Sequence, residues 1–186
     1  MKIKKIIAIA GLAGSGKTTI GKIVAKKLGY KLIAPTFKDI AKLQKLTLLE
    51  FQKKANKDFS IDKEFDKQII KLAKREKCVI ATWLGPWIIR GNIFRVWLEV
   101  PKKIRAKRVA KREKISFKKA YSHITQRDKD NILRYKKIYN INILDHKNFN
   151  LVVDASVLSA KKIATIVLKN YLEFCGGEIN GSNKRR

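Results

Sequence analysis

Residues Gly11-Leu12-Ala13-Gly14-Ser15-Gly16-Lys17-Thr18 constrain this 186-residue chain more than any other stretch. They fit the spacing G-x-x-x-x-G-K-[ST] of a phosphate-cradling loop. Glycines let the backbone turn tightly and bring its N–H groups against phosphate oxygens. Lys17 supplies a mobile point charge for the β- and γ-phosphates, and the Thr18 hydroxyl is a ligand type for Mg²⁺. Such a loop needs a strand before it and a helix after it. Ile6 to Ala10 is a short apolar run suited to a buried strand. Thr18 to Leu28 places Ile20, Val24 and Leu28 at helical spacing, with Gly29 beyond the end. The basic start, Met1 to Lys5, followed by an apolar run does not make an export signal: the run is short and no small-residue cleavage site precedes Gly16.

The order of the remaining segments predicts an α/β fold. Tyr30–Ile33, Cys78–Thr82, Phe94–Val100 and Leu151–Asp154 read as further strands, giving a five-stranded parallel sheet flanked by helices. Between the second and third strands, about residues 35–75 form a small helical insert. It holds a helix over 37–46, a helix starting at the capping box Thr47-Leu48-Leu49-Glu50, and a helix from about Asp62, which is read as an N-cap. Pro86 opens a short helical turn, and Pro101 opens a helix to about Arg112. Ser116 caps a helix to about Tyr139, and Ser159 starts a last helix through Leu172. Residues 1–174 are expected to form one domain, and 175–186 a basic disordered tail.

Composition removes several classes. No segment approaches the roughly 20 apolar residues of a membrane span. Cys78 and Cys175 make neither a disulfide framework nor a metal site, and His123 and His146 lack metal-ligand company. The expectation is a cytoplasmic monomer. Lys+Arg is 44 against 15 for Asp+Glu, a net charge of +29 spread along the whole chain. That charge suits steering of small polyanions such as nucleotides, and it leaves RNA as a secondary partner.

In a lysine-rich chain the arginines stand out. Arg105, Arg108 and Arg112 recur at i, i+3 and i+7, and Arg127 and Arg134 are seven apart. Guanidinium clamps two phosphate oxygens at once, which suits stabilising a transferring phosphoryl group. Two basic helices closing over the phosphates would also exclude water. Lys38, Asp66 and Lys67 lie in the helical insert, where a second nucleotide would sit. Trp83 and Trp87 follow the third strand, at the edge where open parallel sheets meet ligands.

With these pieces in this order, residues 3–172 resemble the phosphate-loop nucleoside monophosphate kinases, and among them the archaeal-type cytidylate kinases. The resemblance is carried by Gly14 to Thr19, Thr47 to Phe51, Ile61 to Asp66, Arg105 to Glu113, Arg127, Arg134 to Tyr139, and Leu151 to Asp154 followed by Ser156. It implies transfer of the γ-phosphoryl group of ATP to CMP or dCMP, with Mg²⁺ held at Thr18. Gly11, Leu12, Ala13, Gly14, Ser15, Gly16, Lys17, Thr18 and Thr19 would hold ATP. Lys17, Arg108, Arg112, Arg127 and Arg134 would be catalytic, with a lid over about 112–128. Lys38, Asp66, Lys67 and Trp83 would lie on the acceptor. The acceptor side departs from the family pattern: an acidic residue, a glycine and an arginine after the third strand are here Ala81, Thr82 and Trp83. Lys38 and Lys67 also stand where arginines are expected. Two other readings remain open, a kinase for another monophosphate such as AMP or UMP, and a homologue that binds ATP and RNA without kinase activity.

Overall fold

The computed structural model describes residues 5–176. Strand β1 (Ile6–Ala10) is the centre of a parallel sheet in the order β2-β3-β1-β4-β5. Its neighbours are β3 (Cys78–Ala81) on one side and β4 (Phe94–Glu99) on the other. The edges are β2 (Lys31–Ile33) and β5 (Leu151–Asp154). Every residue of β1 and β3 is buried, as expected for a parallel sheet covered on both faces. Alternation puts Ile7 and Ile9 on one face and Ile6 and Ala8 on the other. Helices α1 (Lys17–Leu28) and α8 (Ala160–Phe174) pack with Ile7, Ile9, Val96 and Leu98 on the first face. On the second face, α4 (Ser60–Ala73) brings Ile69 and Ala73 against Ile6, Ala8 and Ile80, and Ile89 joins them just after the short α5 (Gly85–Ile88). Each isoleucine, valine or leucine among these, fully buried, contributes roughly 1.5–3 kcal/mol.

The insert consists of α2 (Phe37–Leu43), α3 (Leu48–Lys57) and α4. Capping boxes start the first two: Thr36 with Asp39, and Thr47 with Glu50. Helix α2 stops three residues short of the expected 46, because Lys45 takes a left-handed backbone at φ 56° and Leu46 N–H returns to Ala41 O. Asp62 is not the N-cap of α4. It lies in the first turn of the helix, buried, and Asp58 accepts from Ser60 N–H and Oγ instead. Helix α6 (Lys102–Glu113) begins after Pro101 and ends at Lys114, which adopts φ 53°. Helix α7 (Phe117–Tyr139) follows from the Ser116 cap, making an antiparallel hairpin with α6. The expected disordered tail falls almost entirely on 177–186, outside the described residues.

The chain runs from β1 to β2 and β3 on one side before crossing to β4 and β5 on the other. That reversal opens a crevice at the carboxyl ends of the central strands, the usual ligand position in open α/β sheets. The insert approaches it from the β2–β3 side and the α6–α7 hairpin from above the loop after β1.

Candidate active site

The loop between β1 and α1 takes its shape from glycine. Gly14 has φ 80°, and a Cβ there would stand 2.9 Å from Arg105 O, so α6 touches the loop backbone directly. Gly16 has φ 98° and forms the N-cap of α1, leaving the first amides of that helix facing the crevice. Ala13 is held on both sides of its peptide. Its N–H donates to Asp128 Oδ1 at 3.1 Å and its O accepts from Arg105 Nη1 at 2.9 Å. Arg105 and Asp128 close the clamp with a buried ion pair at 2.8 Å.

The crevice contains a cavity of about 410 Å³. Its floor includes Gly14, Gly16, Lys17, Thr18 and Thr19. Lys17 Nζ donates to Gly11 O at 2.7 Å and lies 4.8 Å from the Trp83 ring centre. Burial, reinforced by Arg127, pushes its ammonium down to about 7. Burial also lowers Arg127, which lines the same cavity with Arg112 and has a buried Nε without a partner. Concentrated cations that depress one another mark a place built to receive an anion.

The opposite wall comes from the insert: Phe37, Lys38, Leu48, Gln52, Phe65 and Asp66. Phe37 and Phe65 meet edge to face at 5.2 Å. Burial pushes Asp66 up to about 7, although Tyr139 donates to its Oδ2 at 2.7 Å. Lys38 and Arg112 both reach Glu113 Oε1, at 3.4 and 2.9 Å, so insert and hairpin are bridged across the mouth. Burial is the largest influence on Glu113, yet these two cations together hold its carboxyl below the usual range.

The structure separates the residues singled out in the sequence. Lys17, Thr18, Thr19, Lys38, Asp66, Trp83, Arg112 and Arg127 share the cavity. Arg108 instead donates to Ala155 O at 2.6 Å and Ser156 O at 3.1 Å, at the carboxyl end of β5. Arg134 is buried behind the wall, 2.8 Å from Asp62 and bonded to Asn56 and Asn131. Lys67 is exposed on α4, away from the lining. Leu12 packs with Leu84 and Tyr135, and Gly11 and Ser15 are buried within the loop. Trp87 packs on Trp97 and Phe149 and forms no part of the cavity. Thr82 Oγ1 accepts from Gly85 N–H at 3.0 Å, so its hydroxyl holds the start of α5. Asp128, Glu113, Gln52 and Asn131 escaped the sequence reading. A usable signal existed for Gln52, a polar residue on the stripe of Leu48, Phe51 and Ala55.

Sheet order, loop and cavity together define a phosphate-loop nucleotide-binding domain with a helical insert between β2 and β3 and a helical hairpin over the loop. The chain belongs to the cytidylate kinase-like family, which it matches over residues 6–157. It is 38% identical to the cytidylate kinase of Pyrococcus horikoshii over 168 residues, covering 89% of this chain and 88% of that protein. It is 37% identical to the cytidylate kinase of Sulfurisphaera tokodaii, covering 91% and 96%. In fold it is similar to shikimate kinase from Acinetobacter baumannii in complex with shikimate (TM-score 0.63, 16% identity, 92% and 94% of the chains). It is also similar to deoxyadenosine kinase from M. mycoides with dCMP and dCDP bound (TM-score 0.55, 20% identity, 91% and 99%).

Proposed function

We propose that the protein is a cytidylate kinase, transferring the γ-phosphoryl group of ATP to CMP or dCMP. The observation carrying this reading is one continuous cavity with the phosphate loop on one side and an aromatic, carboxyl-bearing insert on the other. The 34–39% identity to curated cytidylate kinases over most of the chain supports the choice of acceptor. No described helix is long and apolar enough to cross a membrane, which accords with a cytoplasmic enzyme.

The loop amides and Lys17 bind the ATP phosphates. An acceptor phosphate oxygen attacks the γ-phosphorus in line, and no covalent enzyme intermediate forms. Arg112 and Arg127 face the cavity from the hairpin, where they neutralise charge on the transferring group and exclude water. Thr18 lines the cavity at the first turn of α1, and among the described residues its hydroxyl has no protein partner. That oxygen would hold an Mg²⁺ ion brought in with ATP; the end of β3, with Ala81 and Thr82, adds no carboxylate to it. Such an ion supplies charge neutralisation at the β- and γ-oxygens.

The test is ADP formation with a panel of monophosphates, with Lys17→Ala as control. ADP should appear only when ATP and CMP or dCMP are both present. A preference for AMP or UMP would reassign the acceptor. The missing carboxylate and the Trp83 indole at the end of β3 favour a second reading, nucleotide binding without turnover. ATP binding with no ADP from any monophosphate would select it.

A further inference from the structure

Gln52 sits on the buried stripe of α3, between Phe51 and Ala55, and is 2% exposed. A chain of polar contacts fixes which way its amide faces. Asp62 holds Arg134 in an ion pair at 2.8 Å. Arg134 Nη2 donates to Asn131 Oδ1 at 2.7 Å. A guanidinium only donates, so Asn131 must turn its oxygen towards it. That same oxygen lies 3.4 Å from Gln52 Nε2, and an oxygen can only accept there. The amino side of Gln52 therefore faces Asn131, and its carbonyl oxygen is left over. Gln52 Oε1 is buried without a partner. Gln52 lines the cavity together with Phe37, Phe65 and Asp66. A buried acceptor left unpaired costs stability unless a ligand satisfies it.

We propose that Gln52 Oε1 reads the base of the acceptor, accepting a hydrogen bond from the 4-amino group of cytosine. This rests on the proposed acceptor site. Cytosine carries an amino donor at position 4, where uracil carries a carbonyl oxygen. Against Gln52 Oε1, uracil sets acceptor against acceptor and leaves both unpaired. The Asp62–Arg134–Asn131 chain is thus a positioning device: it prevents the Gln52 amide from flipping to serve uracil. Loss of one buried hydrogen bond corresponds to a discrimination of roughly tenfold to a hundredfold.

The experiment measures dissociation constants of the full chain for CMP, UMP and the monophosphate of the pyrimidin-2-one ribonucleoside, which carries hydrogen in place of the amino group. Wild type should bind CMP at least roughly tenfold more tightly than either of the others. Gln52→Met, of similar length and without the acceptor, should bring CMP and UMP within about threefold. An unchanged CMP-to-UMP ratio in Gln52→Met overturns the proposal, and so does tight binding of the pyrimidin-2-one compound to wild type. If Gln52→Met does not fold, the pyrimidin-2-one comparison decides alone. CMP turnover with a ratio indifferent to Gln52 removes this inference and leaves the kinase reading intact. Wild type binding no CMP removes both.

Discussion

Asp128→Asn is the substitution whose consequence the structure specifies most fully. Asp128 Oδ1 accepts the Ala13 N–H at 3.1 Å, and Oδ2 accepts from Arg105 Nη1 at 2.8 Å. Arg105 also donates to Ala13 O and to Val100 O, so its guanidinium is fixed in place. The paired side chains are 3% and 8% exposed, so water cannot replace a lost contact. Asparagine has one oxygen for two donors. In either amide orientation its NH₂ faces an N–H, and the Arg105 charge loses its partner. Removing one member of a buried pair costs about 3–5 kcal/mol. For a domain of this size that is a fall in Tm of roughly 6–20 °C. Urea unfolding and calorimetry measure both quantities. The companion variant Arg105→Met with Asp128→Leu removes both charges but leaves Ala13 N–H, Ala13 O and Val100 O unpaired, so it should be less destabilised than the sum of Arg105→Met and Asp128→Leu made singly. A loss under about 1 kcal/mol for Asp128→Asn, or a double variant as unstable as the sum of the singles, would refute the clamp. Because the clamp grips the backbone of Ala13, Asp128→Asn should also raise the KM for ATP.

Three further outcomes follow from the site. Lys17 is held near pH 7 by burial and Arg127, and a phosphate will restore its charge; at pH 8.5 ATP binding should therefore take up about one proton, read from calorimetric heats in buffers of different ionisation enthalpy. Asp66 is raised to about 7 chiefly by burial, with Asp62 adding to the shift and Arg134 and the Tyr139 hydroxyl opposing it. Its folded value lies above its unfolded one, so stability is whole below about pH 4 and is lost as pH rises through 7, by about 1.4 kcal/mol per unit in that window. Urea unfolding from pH 4 to 8.5 should show this slope in wild type and not in Asp66→Asn; equal slopes would remove the buried carboxyl as its cause. Arg127→Lys should lower kcat by roughly a hundredfold while leaving ATP affinity within a few-fold, because lysine keeps the charge and loses the bidentate geometry; an equal fall in affinity would make Arg127 a ground-state contact.

The elements were legible in the sequence wherever one local cause dominated. Continuous apolar runs placed β1 and β3, the largely apolar Phe94 to Leu98 placed β4, and the Thr47–Glu50 capping box placed the start of α3. Thr36 capped α2 as well, yet its end was missed, because the backbone turn at Lys45 needs a left-handed residue that the sequence does not advertise with glycine. Asp62 was misread for a different reason. Its partner, Arg134, is 72 positions away, and pairing at that separation leaves no local trace.

The arginine stripe of α6 shows why periodicity alone could not draw the site. Spacing of i, i+3 and i+7 does put Arg105, Arg108 and Arg112 on one side of the helix. But seven residues advance about 10 Å along the axis, further than a single phosphate group extends. One stripe therefore meets three different neighbours. Arg105 enters the clamp on Ala13, Arg108 caps carbonyls at the end of β5, and only Arg112 reaches the cavity. The same logic divides α7, where Arg127 faces the phosphate side and Arg134, two turns on, stands behind the insert wall. The two positions are then coupled through the helix that carries them. On the proposed function Arg127 would work on charge that develops at the phosphates, while Arg134, through Asn131, holds the amide of Gln52 in the wall of the cavity. The one helix α7 thereby ties the phosphate-loop end of the cavity to the end proposed to select the acceptor.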